Sequence, residues 1–187
     1  MAVTVLLWMP TGASHAVRGA VAGAVAAGIW ALQQPLDRKV FGVAHDDTEL
    51  LGKLVTRGPA WPAAGAALHV LNGAAFGAIY AQAAPRLPLP AWARGPAVGL
   101  AEHVATWPLT VLTDRRHPAR GDLPALASSP RAFAQSLWRH VLFGAVLGEL
   151  ERRLNPPGDV PRPEDVEHLA RSNGHGDIQH ASAAIVP

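Results

Sequence analysis

The chain has 187 residues, of which 49% are hydrophobic and 16% charged, and its net charge is +2. That length suits one domain, and the charged fraction lies below the roughly one quarter usual in a soluble globular chain. The absence of cysteine excludes disulfides, thiolate metal ligands and cysteine nucleophiles, and without a basic cluster interleaved with aromatics nothing points to nucleic acid.

Met1 to Ala16 is apolar but lacks the basic start of a signal peptide, and reads as an N-terminal extension. Gly19 to Leu36 then carries no charge and has about the length a bilayer core demands. Its Gly19-x-x-x-Gly23 pattern offers a smooth face for close helix contact. Asp37 to Pro59 is a polar connection in which Asp47 or Thr48 is expected to cap a short helix through Leu54, with Gly58 ending it. Leu50, Leu51 and Leu54 on one side suggest that this helix lies along a membrane surface. Asp46, Asp47 and Glu49 read as a solvated cap rather than a cation site. The second apolar segment, Gly58 to Pro85, is free of Lys, Arg, Asp and Glu, and Trp61 and Tyr80 stand near its ends, where interfacial aromatics belong.

A proline-rich link, Pro85 to Pro90, makes a tight turn between antiparallel neighbours. The third segment, Trp92 to Thr113, is interrupted only by Glu102 and His103. Asp114 to Pro130 is polar and ends in Ser129-Pro130, an N-cap followed by the residue favoured at the first helical position. The fourth segment, Arg131 to Leu154, contains Arg139 and His140 and closes on Glu149 to Arg153. From Asn155 the chain turns polar and proline-punctuated. It reads as a mostly disordered tail with one short helix over Pro163 to Ser172, and its His168, His175 and His180 read as surface histidines.

Two stretches echo each other. His69-Val-Leu-Asn-Gly-Ala-Ala-Phe-Gly77 returns as His140-Val-Leu-Phe-Gly-Ala-Val-Leu-Gly148, with six of nine positions identical. Before each copy, Arg18-Gly19 with Gly23 is matched by Arg94-Gly95 with Gly99. The expectation is therefore an all-α, four-helix transmembrane bundle over residues 1–154. It would be built from two tandem two-helix repeats, residues 18–83 and 94–154, with residues 155–187 as the tail. Two helices per half would give both copies the same orientation. On that reading His69 falls on His140 and Gly23 on Gly99. A membrane setting is preferred because the first two segments lack the polar stripe of a soluble bundle helix, and a chain this small cannot bury four such helices. Arg and Lys divide almost evenly between the two sides, and Arg152-Arg153 abutting a helix end points to cytoplasmic termini.

Ionisable groups at membrane depth are costly and face the bundle interior. The candidate buried polar centre comprises His69, Asn72, Glu102, His103, Arg139 and His140. His69, Asn72, Phe76 and Tyr80 share one helical face with Gly73 and Gly77, and His140, Phe143, Gly144 and Leu147 repeat that arrangement. Glu102 is expected to be balanced by Arg139 through His103 or His140. Such a centre suits proton relay, a small polar ligand or interhelical hydrogen bonding. The His-Glu-x-x-His and Glu-x-x-His metal patterns are missing, as are a phosphate loop and a nucleophile elbow.

From His69 onward the order of features resembles the YagU-like family of small bacterial inner-membrane proteins. The shared features are the His-initiated second segment with Phe76 and Tyr80, the proline-containing link and Trp92. His103-Val-Ala-Thr-Trp-Pro108, His140 and the closing Glu with Arg152-Arg153 follow. The resemblance implies a multi-pass protein of the bacterial inner membrane and raises the interest of His69, His103 and His140. The function expected is non-enzymatic, a small transport component or partner-binding bundle without a cofactor. Its partners would be the lipid bilayer and a second copy or another membrane protein. The alternative is a His-ligated metal or haem protein with a redox function.

Overall fold

The computed structural model describes residues 14–156. The N-terminal extension to Ala13, the helix expected over Pro163 to Ser172 and the tail histidines lie outside the described residues. Within them the chain is helical and contains no strand.

Helix α1, His15–Phe41, is 27 residues long, about 40 Å at 1.5 Å per residue. Ser14 caps it, accepting from the Val17 backbone N–H, and Gly42 ends it at φ 68, a left-handed conformation that glycine adopts without strain. The charged residues Asp37, Arg38 and Lys39, assigned to the connection from sequence, are the last turns of this helix. Helix α2, Asp47–Val55, follows a short loop and is capped by Asp46 rather than by Asp47 or Thr48. Helix α3 is Trp61–Ala83, with Pro62 in its first turn. Helix α4, Ala91–Thr106, is followed by a 3₁₀ turn at Trp107–Leu109 and by α5, Thr110–Arg116. The single third segment expected from sequence is therefore broken. Pro108 has no N–H to give to the ladder and its ring clashes with the preceding turn. Helix α6, Pro130–Leu154, begins at the Ser129 cap that the sequence signals.

Two of these helical stretches, His15–Phe41 and Trp61–Arg86, are long and apolar enough to cross a membrane.

Helix α1 packs against α3 and α6, and α4 packs on α6. Small residues set these contacts. A Cβ added at Gly23 would stand 2.0 Å from the Gly73 carbonyl oxygen, and one at Gly95 would stand 2.0 Å from that of Gly144. Backbone thus meets backbone at both crossings. Gly95 occupies against Gly144 the place that Gly23 occupies against Gly73, whereas the sequence echo pairs Gly95 with Gly19. Relative to the register expected from the echo, α4 on α6 is displaced by about one turn. With that displacement Trp30 and Glu102 take corresponding positions, Trp30 against His69 and Glu102 against His140. Helix α2 is seated on the start of α3 in the same manner, for a Cβ at Gly65 would lie 1.8 Å from the Thr48 carbonyl oxygen. That contact turns the N-terminus of α2 toward α6, where Asp47 meets Arg139, while Gly52 is the one buried residue of the helix.

Candidate functional site

Gln135 and Arg139 are one turn apart on the face of α6 that meets the last turns of α1. Arg139 is fully buried, at 0% exposure. Its Nε and Nη2 donate to the two oxygens of Asp37 at 2.6 and 2.7 Å, and its Nη1 donates to Asp47 Oδ2 at 2.6 Å. Nη2 also donates to the His45 carbonyl at 3.0 Å. The forked guanidinium is suited to this two-point recognition of a carboxylate. Amides complete the shell. Gln135 Nε2 donates to Asp37 Oδ1 at 2.8 Å and Gln33 Nε2 to Asp37 Oδ2 at 2.7 Å. Trp30 Nε1 donates to Asp47 Oδ2 at 2.9 Å, and the Asp47 N–H donates to Gln34 Oε1 at 2.9 Å. This corrects the expectation that Arg139 balances Glu102. The guanidinium reaches toward α1 and α2 instead, where two carboxylates neutralise it.

Asp46 accepts the N–H groups of Thr48 and Glu49 and the Thr48 hydroxyl, and pairs with Arg38 at 3.2 Å. Burial pushes both carboxyls up. In Asp46 the bonds from Thr48 and Glu49 outweigh it, and in Asp47 the charge and hydrogen bond of His45 and the charge of Arg139 do so. Both acids are held below the ordinary carboxylate range, Asp47 far below it. A group whose native pKa is depressed contributes its stability in full above its unfolded value, near about 4, and loses it as the pH falls toward the native value. The thermal midpoint is therefore expected to hold from pH 7 to about 5 and to fall steeply below about 4. Asp47→Asn should flatten that fall, and an unchanged slope in the variant would contradict the assignment.

Beside this network lies a cavity of about 170 Å³. Trp30 comes to it from α1, Asp47 with Leu50 and Leu51 from α2, His69, Asn72 and Phe76 from α3, Glu102 from α4, and His140 and Phe143 from α6. Four of the six sequence-predicted residues, His69, Asn72, Glu102 and His140, thus line one cavity, but Asn72 is exposed and Glu102 half-buried where buried positions were expected. Trp30 organises its wall, packing edge-on against His69, His140 and Phe143 at ring-centre distances of 5.4, 4.7 and 5.9 Å. His69 Nε2 lies 3.2 Å from the Ala27 carbonyl. Glu102 Oε2 lies 2.7 Å from His140 Nε2. His103 is one step behind the wall, buried between Trp107 and Phe133, with its Nδ1 3.2 Å from Ser136 Oγ. Arg139 and His103 do not line the cavity.

Sequence reasoning missed Asp37, Asp47, Gln34 and Gln135. Their signal was the adjacent amides Gln33-Gln34 in an otherwise apolar helix, and Gln135 one turn ahead of Arg139. Among the described residues no three His, Asp or Glu side chains converge as a metal-holding group. Comparison with protein-family models, with curated proteins and with solved structures finds no match.

Proposed function

We propose that the chain is a multi-pass integral membrane protein, non-enzymatic in its chemistry, whose polar centre and cavity serve as the binding chamber of a small transport component. One observation carries this reading: polarity is arranged inside out. Arg139 is sealed at 0% exposure, and Asp37, Gln34, Gln135, His69 and His103 are buried with it. Leu32 is 82% exposed, Trp92 80%, Val40 71% and Ile79 70%. Single exposed apolar residues are ordinary, but outward rows on several helices, above seams of glycine and alanine, suit a hydrocarbon solvent. Burying ionisable groups together between helices is what that solvent demands.

On this reading α1, α3, the broken pair α4–α5 and α6 make four crossings, and the glycine crossings at Gly23 and Gly95 are the trace of a duplication. The resemblance to the YagU-like family supports placement in a bacterial inner membrane. A His-ligated metal site would need a convergent set of ligands, and among the described residues no group of three His, Asp or Glu side chains forms one.

Extraction of membranes with alkaline carbonate tests the reading. The full chain is expected to stay in the pellet and to need detergent for release. Recovery as a monodisperse soluble protein without detergent would contradict it.

A further inference from the structure

We infer that the cavity binds a small organic cation in exchange for a proton held between Glu102 and His140. The inference rests on the membrane-chamber reading above and adds the class of ligand. Three observations lead to it.

The first is where the proton sits. His140 Nδ1 lies 2.7 Å from the Ser136 carbonyl oxygen, an atom that only accepts, so Nδ1 carries a hydrogen. His140 Nε2 lies 2.7 Å from Glu102 Oε2, and a contact that short also needs a hydrogen between the two atoms. The pair therefore holds one proton more than a neutral imidazole beside a free carboxylate would. Glu102 is on the cavity wall, so this proton faces the space a ligand would enter.

The second is the balance of charge. Asp37, Asp46, Asp47 and Glu102 are set against only Arg38 and Arg139. The remaining acids face imidazoles, His45 on Asp47 and His140 on Glu102. The centre thus has fewer arginines than carboxylates, and the proton held with His140 offsets one of the acids. Arg139, fully buried, is taken up by Asp37 and Asp47 and does not line the cavity, so no arginine or lysine faces it, while Asp47 and Glu102 do.

The third is the wall. Trp30, Phe76 and Phe143 line the cavity and pack on one another, and aromatic rings beside a carboxylate favour a weakly hydrated organic cation. When such a cation contacts Glu102, the His140 Nε2 proton leaves to water and the imidazole becomes neutral. One positive charge enters and one departs, so the centre keeps its net charge. The groups facing the pair are Trp30 from α1, Asp47 from α2, His69 from α3, and His103 with Ser136 at its rear.

The probe is tetramethylammonium, titrated by calorimetry into the full chain in detergent, with tert-butanol as its uncharged counterpart. Saturable binding of the cation alone is expected. Its affinity should rise about tenfold per pH unit over the range in which the pair holds its proton, as one-for-one competition requires. Binding heats should differ between buffers of different ionisation enthalpy by an amount matching one proton released. Glu102→Gln should remove the pH dependence and weaken binding at least about tenfold, and Phe143→Leu should weaken it several-fold while keeping the slope. Equal affinity at pH 5 and pH 8, equal binding of tert-butanol, or undiminished binding by Glu102→Gln would overturn the inference. If Glu102→Gln fails to fold, the wild-type pH slope and buffer heats decide alone. A carbonate-resistant protein that ignores tetramethylammonium would sink this inference and leave the membrane reading standing.

Discussion

Arg139→Leu is expected to destabilise the protein by about 3–5 kcal/mol, the cost of leaving a buried charge without its partner. Here two carboxylates are stranded together, Asp37 with 2% of its side chain exposed and Asp47 beside it. Each must then take up a proton or face its neighbour as a like charge. Removing the acids as well should recover much of the loss, so Asp37→Asn/Asp47→Asn/Arg139→Leu is expected to be more stable than Arg139→Leu alone. Glu102→Gln combined with Arg139→Leu should recover nothing, because Glu102 pairs with His140. Thermal unfolding in detergent measures all three. Rescue by Glu102→Gln, with none from the aspartate changes, would mean that the charges are coupled as the sequence alone suggests and not as the structure has them.

Gly23→Ala is expected to cost about 1–3 kcal/mol by overpacking, although it adds a single methyl group and improves helix propensity. The new carbon would stand 2.0 Å from the Gly73 carbonyl oxygen and 2.9 Å from the Gly77 Cα. These are backbone atoms with no rotamer to yield, so α1 and α3 must part. Gly144→Ala should behave alike, with its Cβ 2.2 Å from the Gly95 carbonyl oxygen. Gly28 supplies the control within the same helix, for nothing lies within 4 Å of its Cβ position. Gly28→Ala should leave stability unchanged or raise it by up to about 1 kcal/mol. Equal responses at Gly23 and Gly28 would show that the crossing is looser than described.

These two variants also mark what the sequence discloses. The glycine seams were legible, because Gly-x-x-x-Gly spacing fixes which face is smooth whatever the partner. So were the Ser129 cap and the placing of His69, Glu102 and His140 around one cavity, whereas Asn72, expected to be buried with them, is exposed at its edge. The register of α4 on α6 relative to that of α1 on α3 was not legible. An alanine-rich helix offers nearly equivalent positions one turn apart, and Gly19 and Gly23 fit the echo equally well. Pro108 and Pro35 show another limit. Pro108 ends α4 while Pro35 sits within α1 without ending it, and only packing distinguishes the two. The partners of Arg139 were hidden because Asp37 and Asp47 stand in a polar stretch that reads as a solvated connection. Their role depends on how α2 folds back, which Gly52 and Gly65 permit by bringing the α2 and α3 backbones together.

The inside-out reading is tested most directly by what surrounds the outward side chains. The chain has no cysteine, so single cysteines can be placed at Leu32, Ile79, Val104 and Leu112, all exposed, and spin-labelled in reconstituted bilayers. Relaxation by oxygen, which concentrates in lipid, should be strong at all four, and relaxation by a water-soluble nickel chelate should be weak. The reverse pattern, with strong nickel relaxation at Leu32 and Ile79, would place these faces in water and contradict the account.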